Sequence, residues 1–512
     1  MKKLAILLLL LLGCVGYARI PSYSEVHQMP KSIEKDYYIW RLLKQRTTSK
    51  ADAIKIIHEA KRISPKLNKA YRKKTGKKAP VKKRYKKPLS AQAKARLKKR
   101  QLHARHLLKS KDPVAAWSKE SNREKLFIFN NAGRGGRKML DHVLSKALWH
   151  QLCTHPAINS MVTKLKKEPL SKFKKALLFP PPAKSALSYK SLNTLAFYAL
   201  SKGENKLASS YFEYSAAKAW DRESADRGLF WAYMTSKKKR YLKAVVKSYD
   251  INLYTLLARD ILKLKYPQTI TPALPKARLL SQHEISSPIY WAKLKKRIFT
   301  KGTNLSQLAN QYKAESSIGY YTFIKTKASR EKEQYFPMPY RALLGKLPKT
   351  RQAIMYAIAR QESRFIPGSI SSSYALGLMQ IMPFLVDHLA KQRKEKVDYD
   401  DMFNPKTSLI YANAHMNYLT KWLQHPLYIA YAYNAGIGFT RKVLRKKGFF
   451  HSNKGYEPYL SIERLPNAQA NKYGKHVLVN YVIYMNKLGV PLRMTDLLGT
   501  LHIPAKTDKF RR

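Results

Sequence analysis

The sequence has few cysteines, few acidic residues and few glycines for its length. Its 512 residues include 2 Cys, 31 Asp+Glu and 20 Gly, against 100 Lys+Arg. Cys14 and Cys153 are too few for a disulfide framework or a four-ligand zinc site. The scarcity of glycine argues against a turn-rich β protein and favours an all-α fold. Hydrophobic residues make up 45% of the chain, which excludes global disorder.

The shortage of acidic residues leaves a formal net charge of +69. A charge of this size indicates a polyanionic partner, and the candidates are nucleic acid, an anionic membrane and an acidic wall polymer. The segment from Lys61 to Lys111 contains 22 Lys and Arg and no acidic residue. We interpret residues 66–89 as a solvated basic linker that Pro80 and Pro88 keep from becoming helical. Ser90 is expected to cap an Ala-rich basic helix after it.

No apolar run is long enough to span a membrane. The longest one, Leu4–Leu12, follows two lysines and precedes Gly16-Tyr17-Ala18, a pattern typical of a secretory signal peptide. The alternative is a buried N-terminal helix. We predict that residues 1–18 are a signal peptide and that the protein is exported to the periplasm.

Cys14 follows Leu11-Leu12-Gly13, which also resembles a bacterial lipobox. Membrane attachment is expected only if Cys14 is lipidated. Export argues against nucleic acid as the partner and favours an anionic polymer outside the cytoplasm.

Residues 19–335 contain many short helical patterns separated by Pro, Gly or Ser. The clearest are Asp36–Gln45, Asn193–Leu200, Leu207–Trp220 and Tyr241–Leu264. Small and aromatic residues are interleaved in Leu207–Trp220 at the spacing of stacked helix pairs. We predict an α-helical, solenoid-like superhelical region here, although the sequence has no strict repeat period.

A helix is predicted over Arg351–Ser363, and one stripe of it is apolar: Met355, Ile358 and Ala359. The helical period places Glu362 on the same buried face. A buried carboxyl has a raised pKa, which is the property of a general acid near neutral pH. The alternative is a helix-terminal glutamate paired with Arg360 or Arg364.

Two further motifs follow this helix. In Gly377–Pro383 (GLMQIMP), the glycine lets backbone approach a ligand and Gln380 offers an amide that both donates and accepts. Met379 is also consistent with a plain core position. In Ala432–Gly436 (AYNAG), the end of a helix explains the Asn and Gly, whereas a core would leave the hydroxyl of Tyr433 unused. Each motif is ambiguous in isolation.

In this order and spacing, the motifs at 359–363, 377–383 and 432–436 resemble the catalytic domain of the soluble lytic transglycosylases, goose-lysozyme-like enzymes that cleave peptidoglycan. The resemblance covers about residues 335–490. It implies a lysozyme-like α-helical catalytic domain, which we predict over residues 336–495, after an α-superhelical region and before a basic tail at 496–512.

The resemblance also implies roles for individual residues. Glu362 matches the catalytic acid and base of the family, and no metal or cofactor is implied. The remaining matched positions are expected to bind the saccharide: Ser371, Met379, Gln380, Tyr433, Asn434 and Glu463. Two positions depart from the pattern. Tyr374-Ala375 stands where the family usually has Gly-Ala, so Tyr374 either narrows a subsite or packs locally. The family's Glu-Thr-Arg is replaced by Gln469-Ala-Asn471 ahead of Tyr473.

The implied reaction is cleavage of the β-1,4 bond between N-acetylmuramic acid and N-acetylglucosamine with formation of 1,6-anhydro ends, for remodelling or turnover of the cell wall. The implied partners are peptidoglycan glycan strands and other cell-wall enzymes. No Asp or Glu occurs from Ser363 to Val386, and the acidic residues between Asp387 and Asp401 are expected to be exposed. The alternatives are a hydrolytic muramidase on the same fold and a non-catalytic basic protein that binds peptidoglycan or nucleic acid.

Overall fold

The computed structural model describes residues 20–80, 88–180, 182 and 184–511. Throughout these ranges the regular structure is helical, and extended backbone pairs only in isolated bridges such as the one between Ile270 and Tyr335. The prediction of an all-α fold is confirmed. The predicted signal peptide lies outside the described residues. Among the helices that are described, none combines the length and the apolar character needed to cross a membrane.

The chain divides into two compact units. One contains the residues up to Lys83 together with Pro267–Arg512, and the other contains Arg84–Tyr266. These units divide the chain at other places than the predicted boundary near residue 335, because the N-terminal helices fold with the C-terminal half of the chain.

The first part of the chain forms α1 (Tyr23–Gln28), α2 (Ile33–Lys44), α3 (Lys50–Ile56) and α4 (Pro65–Thr75). Each of these helices begins after a serine whose side chain accepts a hydrogen bond from a backbone N–H of the first turn. Helix α2, predicted from its apolar pattern, is buried along most of its length, including Tyr37 and Trp40.

Helix α4 corrects the prediction of a solvated linker over residues 66–89 for its first part, up to Thr75, whereas residues 81–87 of that segment lie outside the described residues. Leu67, Ala70 and Tyr71 lie on one face of α4 and are buried against the rest of the unit. The helix ends at Gly76, which has a φ of 79°, so Pro80 and Pro88 lie beyond it and do not disturb it. The apolar spacing of this segment allows it to fold as a packed helix despite its basic residues, because their long side chains reach solvent from the other face.

Helix α2 carries a buried cation that pairs with two aspartates far along the chain. Arg41 Nη2 lies 2.6 Å from Asp398 Oδ2, and its Nη1 lies 2.9 Å from Asp400 Oδ1. Tyr37 Oη donates a hydrogen bond of 2.5 Å to the same oxygen of Asp400. The expectation that all acidic residues from 387 to 401 are exposed is therefore wrong for Asp398 and Asp400, whose side chains are 23% and 11% exposed.

The second unit contains α5 (Ala91–Leu108), α6 (Pro113–Ser118), α7 (Asn122–Asn131), α8 (Arg134–Met139), α9 (Lys146–Cys153), α10 (Ile158–Lys167), α11 (Ser171–Lys174), α12 (Tyr189–Ser201), α13 (Asn205–Ala217), α14 (Arg222–Ser236), α15 (Lys239–Val245) and α16 (Leu253–Ile261). Ser90 caps α5 as predicted. The helix predicted over Tyr241–Leu264 is divided into α15 and α16, because Asn252 caps a new helix within it.

Helices α12, α13 and α14 pack in chain order, each against the next. Gly228 of α14 faces α13 so closely that an added Cβ would lie 2.9 Å from Ala216 Cβ. The small residues between the aromatic ones therefore let neighbouring helices approach, as the sequence predicts. The superhelical arrangement as a whole stays a prediction.

The C-terminal part of the first unit contains α17 (Gln282–Ser286), α18 (Pro288–Ile298), α19 (Leu305–Asn310), α20 (Ile318–Ala328), α21 (Arg341–Leu344), α22 (Lys349–Glu362), α23 (Pro383–Arg393), α24 (Pro405–Thr420), α25 (Pro426–Ala435), α26 (Ile437–Arg445), α27 (Tyr459–Glu463), α28 (Ala468–Lys487), α29 (Met494–Gly499) and α30 (Pro504–Thr507). Short 3-10 turns lie at Ile57–Glu59, Lys175–Leu178, Glu315–Ser317 and Tyr399–Phe403. The predicted basic tail at 496–512 contains helical structure, since α29 extends into it and α30 lies within it.

Helix α28 packs against both α22 and α25 and so forms the centre of this part of the unit. Gly474 makes the second contact possible, because a Cβ at this position would lie 2.3 Å from the ring of Tyr431. Residues from α22, α25 and α28 are thereby brought together, although more than a hundred residues separate α22 from α28 in the chain.

The buried pairing of Arg41 gives a prediction for stability. Arg41→Met removes the cation and leaves Asp398 and Asp400 without it, which is expected to lower the free energy of unfolding by about 3 kcal/mol or more. The matched control is Arg393→Met, which breaks an ion pair with Glu395 whose side chains are 37% and 39% exposed. That change is expected to cost less than about 1 kcal/mol. Urea unfolding measures both, and equal losses would contradict the prediction.

Candidate active site

Glu362 is the last residue of α22, and its position follows from the apolar stripe of this helix. Met355 and Ile358 are fully buried and Ala359 is 2% exposed, as the helical period predicts. Glu362 keeps a partly exposed surface, although protein atoms surround it densely. Burial disfavours the charged form and raises the pKa of Glu362 from 4.5 to about 7.

Tyr473 of α28 donates a hydrogen bond of 2.7 Å to Glu362 Oε1. The hydroxyl favours the carboxylate and so opposes the effect of burial on the pKa of Glu362. The sequence predicts no role for Tyr473, which appears there only as the tyrosine that follows Gln469-Ala-Asn471. Its contact is between residues 111 positions apart, which no local spacing predicts.

The alternative for Glu362, an ion pair with Arg360 or Arg364, differs from what the structure shows, since no cation among the described residues contributes to the pKa of Glu362. Arg360 Nε donates to Tyr335 O at 2.9 Å and its Nη1 donates to Asn480 Oδ1 at 2.6 Å. The guanidinium also lies 3.7 Å from the centre of the Phe336 ring. Burial and the bond from Tyr473, instead of a cation, account for the pKa of Glu362.

Tyr433 lies on α25 near the same carboxyl. Its hydroxyl donates a hydrogen bond of 2.8 Å to Met379 O, so this hydroxyl has a partner in the fold. Burial and the negative charge of Glu362 raise the pKa of Tyr433 well above its ordinary value. Helix α25 ends at Gly436 (φ 86°), as the motif predicts, and Asn434 is partly exposed beside Tyr433.

The GLMQIMP segment is a tightly packed loop beside the carboxyl. Gly377 has a φ of 73°, and a Cβ on it would lie 1.8 Å from Met402 O. The close approach at Gly377 is therefore to the protein's own backbone instead of to a ligand. Gln380 Nε2 donates to Ser369 O at 2.9 Å and to Gly377 O at 2.8 Å, which holds the loop closed.

Met379 is fully buried, and its backbone N–H donates to Ser408 Oγ at 3.2 Å. The Met379 side chain is therefore a core residue in this structure, as one of the two interpretations of the motif allows, and its part in a saccharide groove stays a prediction. Gln380 is 8% exposed, and its contact with saccharide stays a prediction.

Ser371 and Glu463 lie on separate elements of the unit. Ser371 Oγ accepts hydrogen bonds from the backbone N–H groups of Ala375 at 2.9 Å and Ser373 at 3.3 Å. Glu463, at the end of α27, forms an ion pair of 3.2 Å with Lys475, and both side chains are 7% exposed or less. Their part in binding, like that of Asn434, stays a prediction.

Tyr374 packs locally and does not project as an exposed wall. It is 1% exposed, and its ring lies 5.6 Å from Trp40 and 6.0 Å from Tyr37, measured between ring centres. Of the two explanations for this departure from the family pattern, the structure supports packing.

The site as a whole contains a carboxyl, that of Glu362, with a pKa of about 7. Among the residues that the structure describes, no group of three or more His, Cys, Asp or Glu side chains is placed to hold a metal ion.

Comparison with known proteins identifies the part of the chain that contains this site. Residues 345–455 match the family model described as "Transglycosylase SLT domain". The soluble lytic murein transglycosylase of Salmonella typhimurium is 29% identical over 164 residues, which are 31% of this chain and 24% of that protein. A putative soluble lytic murein transglycosylase of Haemophilus influenzae is 28% identical over 245 residues, 42% of this chain and 40% of that protein.

Among solved structures, the lytic transglycosylase Slt of Pseudomonas aeruginosa, an inactive mutant, is similar with a TM-score of 0.46 and 16% identity, over 90% of this chain and 74% of that one. The 70 kDa soluble lytic transglycosylase of Escherichia coli has a TM-score of 0.45 and 17% identity, over 94% and 84% of the two chains. The alignments with the curated relatives span less than half of their length. The resemblance to the soluble lytic transglycosylases is confirmed for the part that carries Glu362.

The pKa of Glu362 predicts how stability depends on pH. The folded chain holds its proton up to about pH 7, whereas the unfolded chain releases it near pH 4.5, so stability declines as pH rises between these values. Glu362→Gln removes this titration. From pH 5 to pH 8, wild type is expected to lose on the order of 1–3 kcal/mol relative to the variant. Urea unfolding at both pH values, with the exposed Asp496→Asn as control, measures it; a pH-independent difference would contradict the assignment.

Proposed function

We propose that this protein is a lytic transglycosylase that cleaves the bond between N-acetylmuramic acid and N-acetylglucosamine in peptidoglycan and leaves 1,6-anhydro ends. The observation that carries the proposal is the carboxyl of Glu362, with a pKa of about 7, within a segment that matches the Transglycosylase SLT domain. A group with this pKa is both protonated and deprotonated in useful amounts near neutral pH, as an acid that later acts as a base requires.

A single carboxyl is consistent with this reaction. Glycosidases that use two carboxyls hold them about 5 to 10 Å apart on either side of the scissile bond. A second charged carboxyl so near would raise the pKa of the first, and no carboxyl within the described ranges contributes to the pKa of Glu362. The substrate itself must then supply the nucleophile, and the muramyl 2-acetamido group is suited to this.

In the first step, Glu362 donates its proton to the glycosidic oxygen, and the bond from that oxygen to muramyl C1 breaks. The carbonyl oxygen of the 2-acetamido group bonds to C1 and forms an oxazolinium ion. Glu362 is now a carboxylate, and the hydroxyl of Tyr473 stabilises it by the hydrogen bond of 2.7 Å. Tyr473 therefore makes the loss of the proton less costly than burial alone would allow.

In the second step, the Glu362 carboxylate takes the proton of the muramyl C6 hydroxyl. The C6 oxygen attacks C1, the bond from the acetamido oxygen to C1 breaks, and the anhydro ring closes. The hydroxyl competes with water because it is part of the same sugar, which gives it a high effective concentration. Glu362 ends the cycle protonated, as it began.

The basic surface and the N-terminal sequence support a location where peptidoglycan is accessible. We infer export to the periplasm from the signal-like residues 1–18, with attachment to a membrane only if Cys14 is lipidated. On α5, exposed cations occur without any acidic residue: Lys94, Arg96, Lys98, Lys99 and Arg105. Carboxylates of the peptidoglycan stem peptides are the anions that such a surface attracts outside the cytoplasm.

Glu362→Gln tests the mechanism, because the amide keeps the size of the side chain but has no proton to transfer. Activity is expected to fall by about a hundredfold or more, since both steps lose their proton carrier. The assay is release of anhydromuropeptides from purified peptidoglycan, with products identified by mass spectrometry.

Circular dichroism and the unfolding midpoint serve as folding controls, because a neutral amide suits this buried position no worse than a carboxylate. A folded Glu362→Gln protein that retains near wild-type activity would overturn the role of Glu362. Products of the wild-type protein that are reducing sugars without the anhydro ring would instead identify a hydrolytic muramidase.

The role of charge is tested by binding to insoluble peptidoglycan at increasing salt concentration. Because salt screens exposed charges, binding is expected to weaken steeply between about 50 and 500 mM salt. The triple change of Lys94, Lys98 and Lys99 to Glu is expected to weaken binding at low salt. The matched control is the triple change of Arg441, Lys442 and Lys447 to Glu, which alters the net charge equally at exposed positions outside α5. Binding that stays constant with salt would contradict electrostatic recruitment.

A further inference from the structure

The turn that carries Ser371 is fixed by its own backbone. Ser371 N–H donates to Ala375 O at 3.1 Å, and Tyr374 N–H donates to Ser371 O at 2.9 Å. Ser371 Oγ accepts from the backbone N–H groups of Ser373 and Ala375, so the direction of this hydroxyl depends on the turn. Any change in the turn moves the hydroxyl with it.

This turn requires a backbone conformation that tyrosine does not favour. Tyr374 has a φ of 61°, in the left-handed region, which is strained for a residue other than glycine. Burial of the aromatic ring offsets this backbone strain and so stabilises the left-handed conformation of Tyr374. The conformation of the turn therefore depends on what surrounds the ring.

The N-terminal helices supply those surroundings. Trp40 and Tyr37 of α2 contact the Tyr374 ring, and Ser64, the cap of α4, donates a hydrogen bond of 3.2 Å to Tyr374 Oη. In the first turn of α4, Lys66 Nζ donates to Ser373 O at 2.9 Å. The turn is thus held at two neighbouring residues by a segment about 310 positions earlier in the chain.

The same N-terminal segment is anchored beside the turn by buried charges. Arg41 pairs with Asp398 and Asp400, and Tyr37 bonds to Asp400 as well as contacting Tyr374. Helix α2 is therefore held in place independently of the turn, and it can serve as a fixed support for it.

We propose that Tyr374 is a positioning residue that fixes the turn carrying Ser371, and that α2 and α4 are thereby a working part of the saccharide site. The proposal rests on the proposed function, because it takes Ser371 as a contact of the glycan strand. Tyr374 is enclosed by protein and bonded to Ser64, so it acts on the strand only through the turn.

Loss of this support is expected to weaken binding of the glycan without altering proton transfer. Ser371 moves with the turn, whereas Glu362 is held separately by α22 and by Tyr473. The KM for glycan strands should therefore rise while kcat and its dependence on pH stay near wild type. A purely structural role would instead reduce stability and the active fraction, and leave KM unchanged.

The experiment measures kcat, KM and the pH profile of full-length variants on glycan strands freed of stem peptides. Tyr374→Gly removes the anchored ring and frees the backbone, and KM is expected to rise by about tenfold. Tyr374→Phe keeps the ring and is expected to stay within about twofold of wild type. Lys66→Met, which removes the bond to Ser373, is expected to raise KM by about threefold. Lys69→Met, an exposed position of the same helix, is the matched control.

The dissociation constant of the same strands is also measured with each change combined with Glu362→Gln, so that binding is read without turnover. Folded Tyr374→Gly and Lys66→Met proteins with unchanged KM and unchanged dissociation constant would overturn the proposal. A fall in kcat that parallels a loss of folded protein, at constant KM, would also overturn it.

Failure of the proposed function has a different signature. If the wild-type protein releases no product, the enzymatic proposal fails, and the dissociation constants alone decide whether Tyr374 positions the turn for glycan binding. Absence of glycan binding by the Glu362→Gln protein would overturn this inference as well.

Discussion

A carboxyl group that protein atoms surround loses much of its hydration, and Glu362 at the end of α22 is such a group. Its charged form is disfavoured, so its pKa rises to about 7, and the hydroxyl of Tyr473 limits the rise. The opposition of these two effects gives the site its chemistry. Burial favours the protonated form, whereas a fully solvated carboxyl is dissociated at neutral pH. The packing of the helices around Glu362 sets the balance between the two.

That packing depends on α28, which contacts both α22 and α25. One residue of α28, Tyr473, reaches Glu362, and the next, Gly474, lets α25 approach until its Tyr431 ring fills the space of a side chain. Helix α25 in turn carries Tyr433, which bonds to the backbone at Met379. Neighbouring residues of α28 thus make the close helix contact and the polar contact of the site. A change that moves α28 therefore affects both the core and the site.

Several of the few acidic residues pair with buried cations. Arg41 pairs with Asp398 and Asp400, Arg137 with Glu168, and Arg511 with Asp508, and most of these side chains are nearly enclosed. A buried cation requires a partner because its desolvation is costly, whereas an exposed lysine does not. With 31 acidic residues against 100 basic ones, most cations lack an acidic partner of their own and the chain is strongly basic.

Local spacing along the sequence was enough to predict the helical class, the cap at Ser90 and the buried face of α22 that carries Glu362, because each depends on residues within a few turns of one another. It did not predict that residues 65–75 are a packed helix, that Asp400 is enclosed or that Tyr473 bonds to Glu362. These features become visible only in the folded chain. Each depends on contacts between segments far apart in the chain, and the periodicity of one segment carries no information about which distant segment covers it.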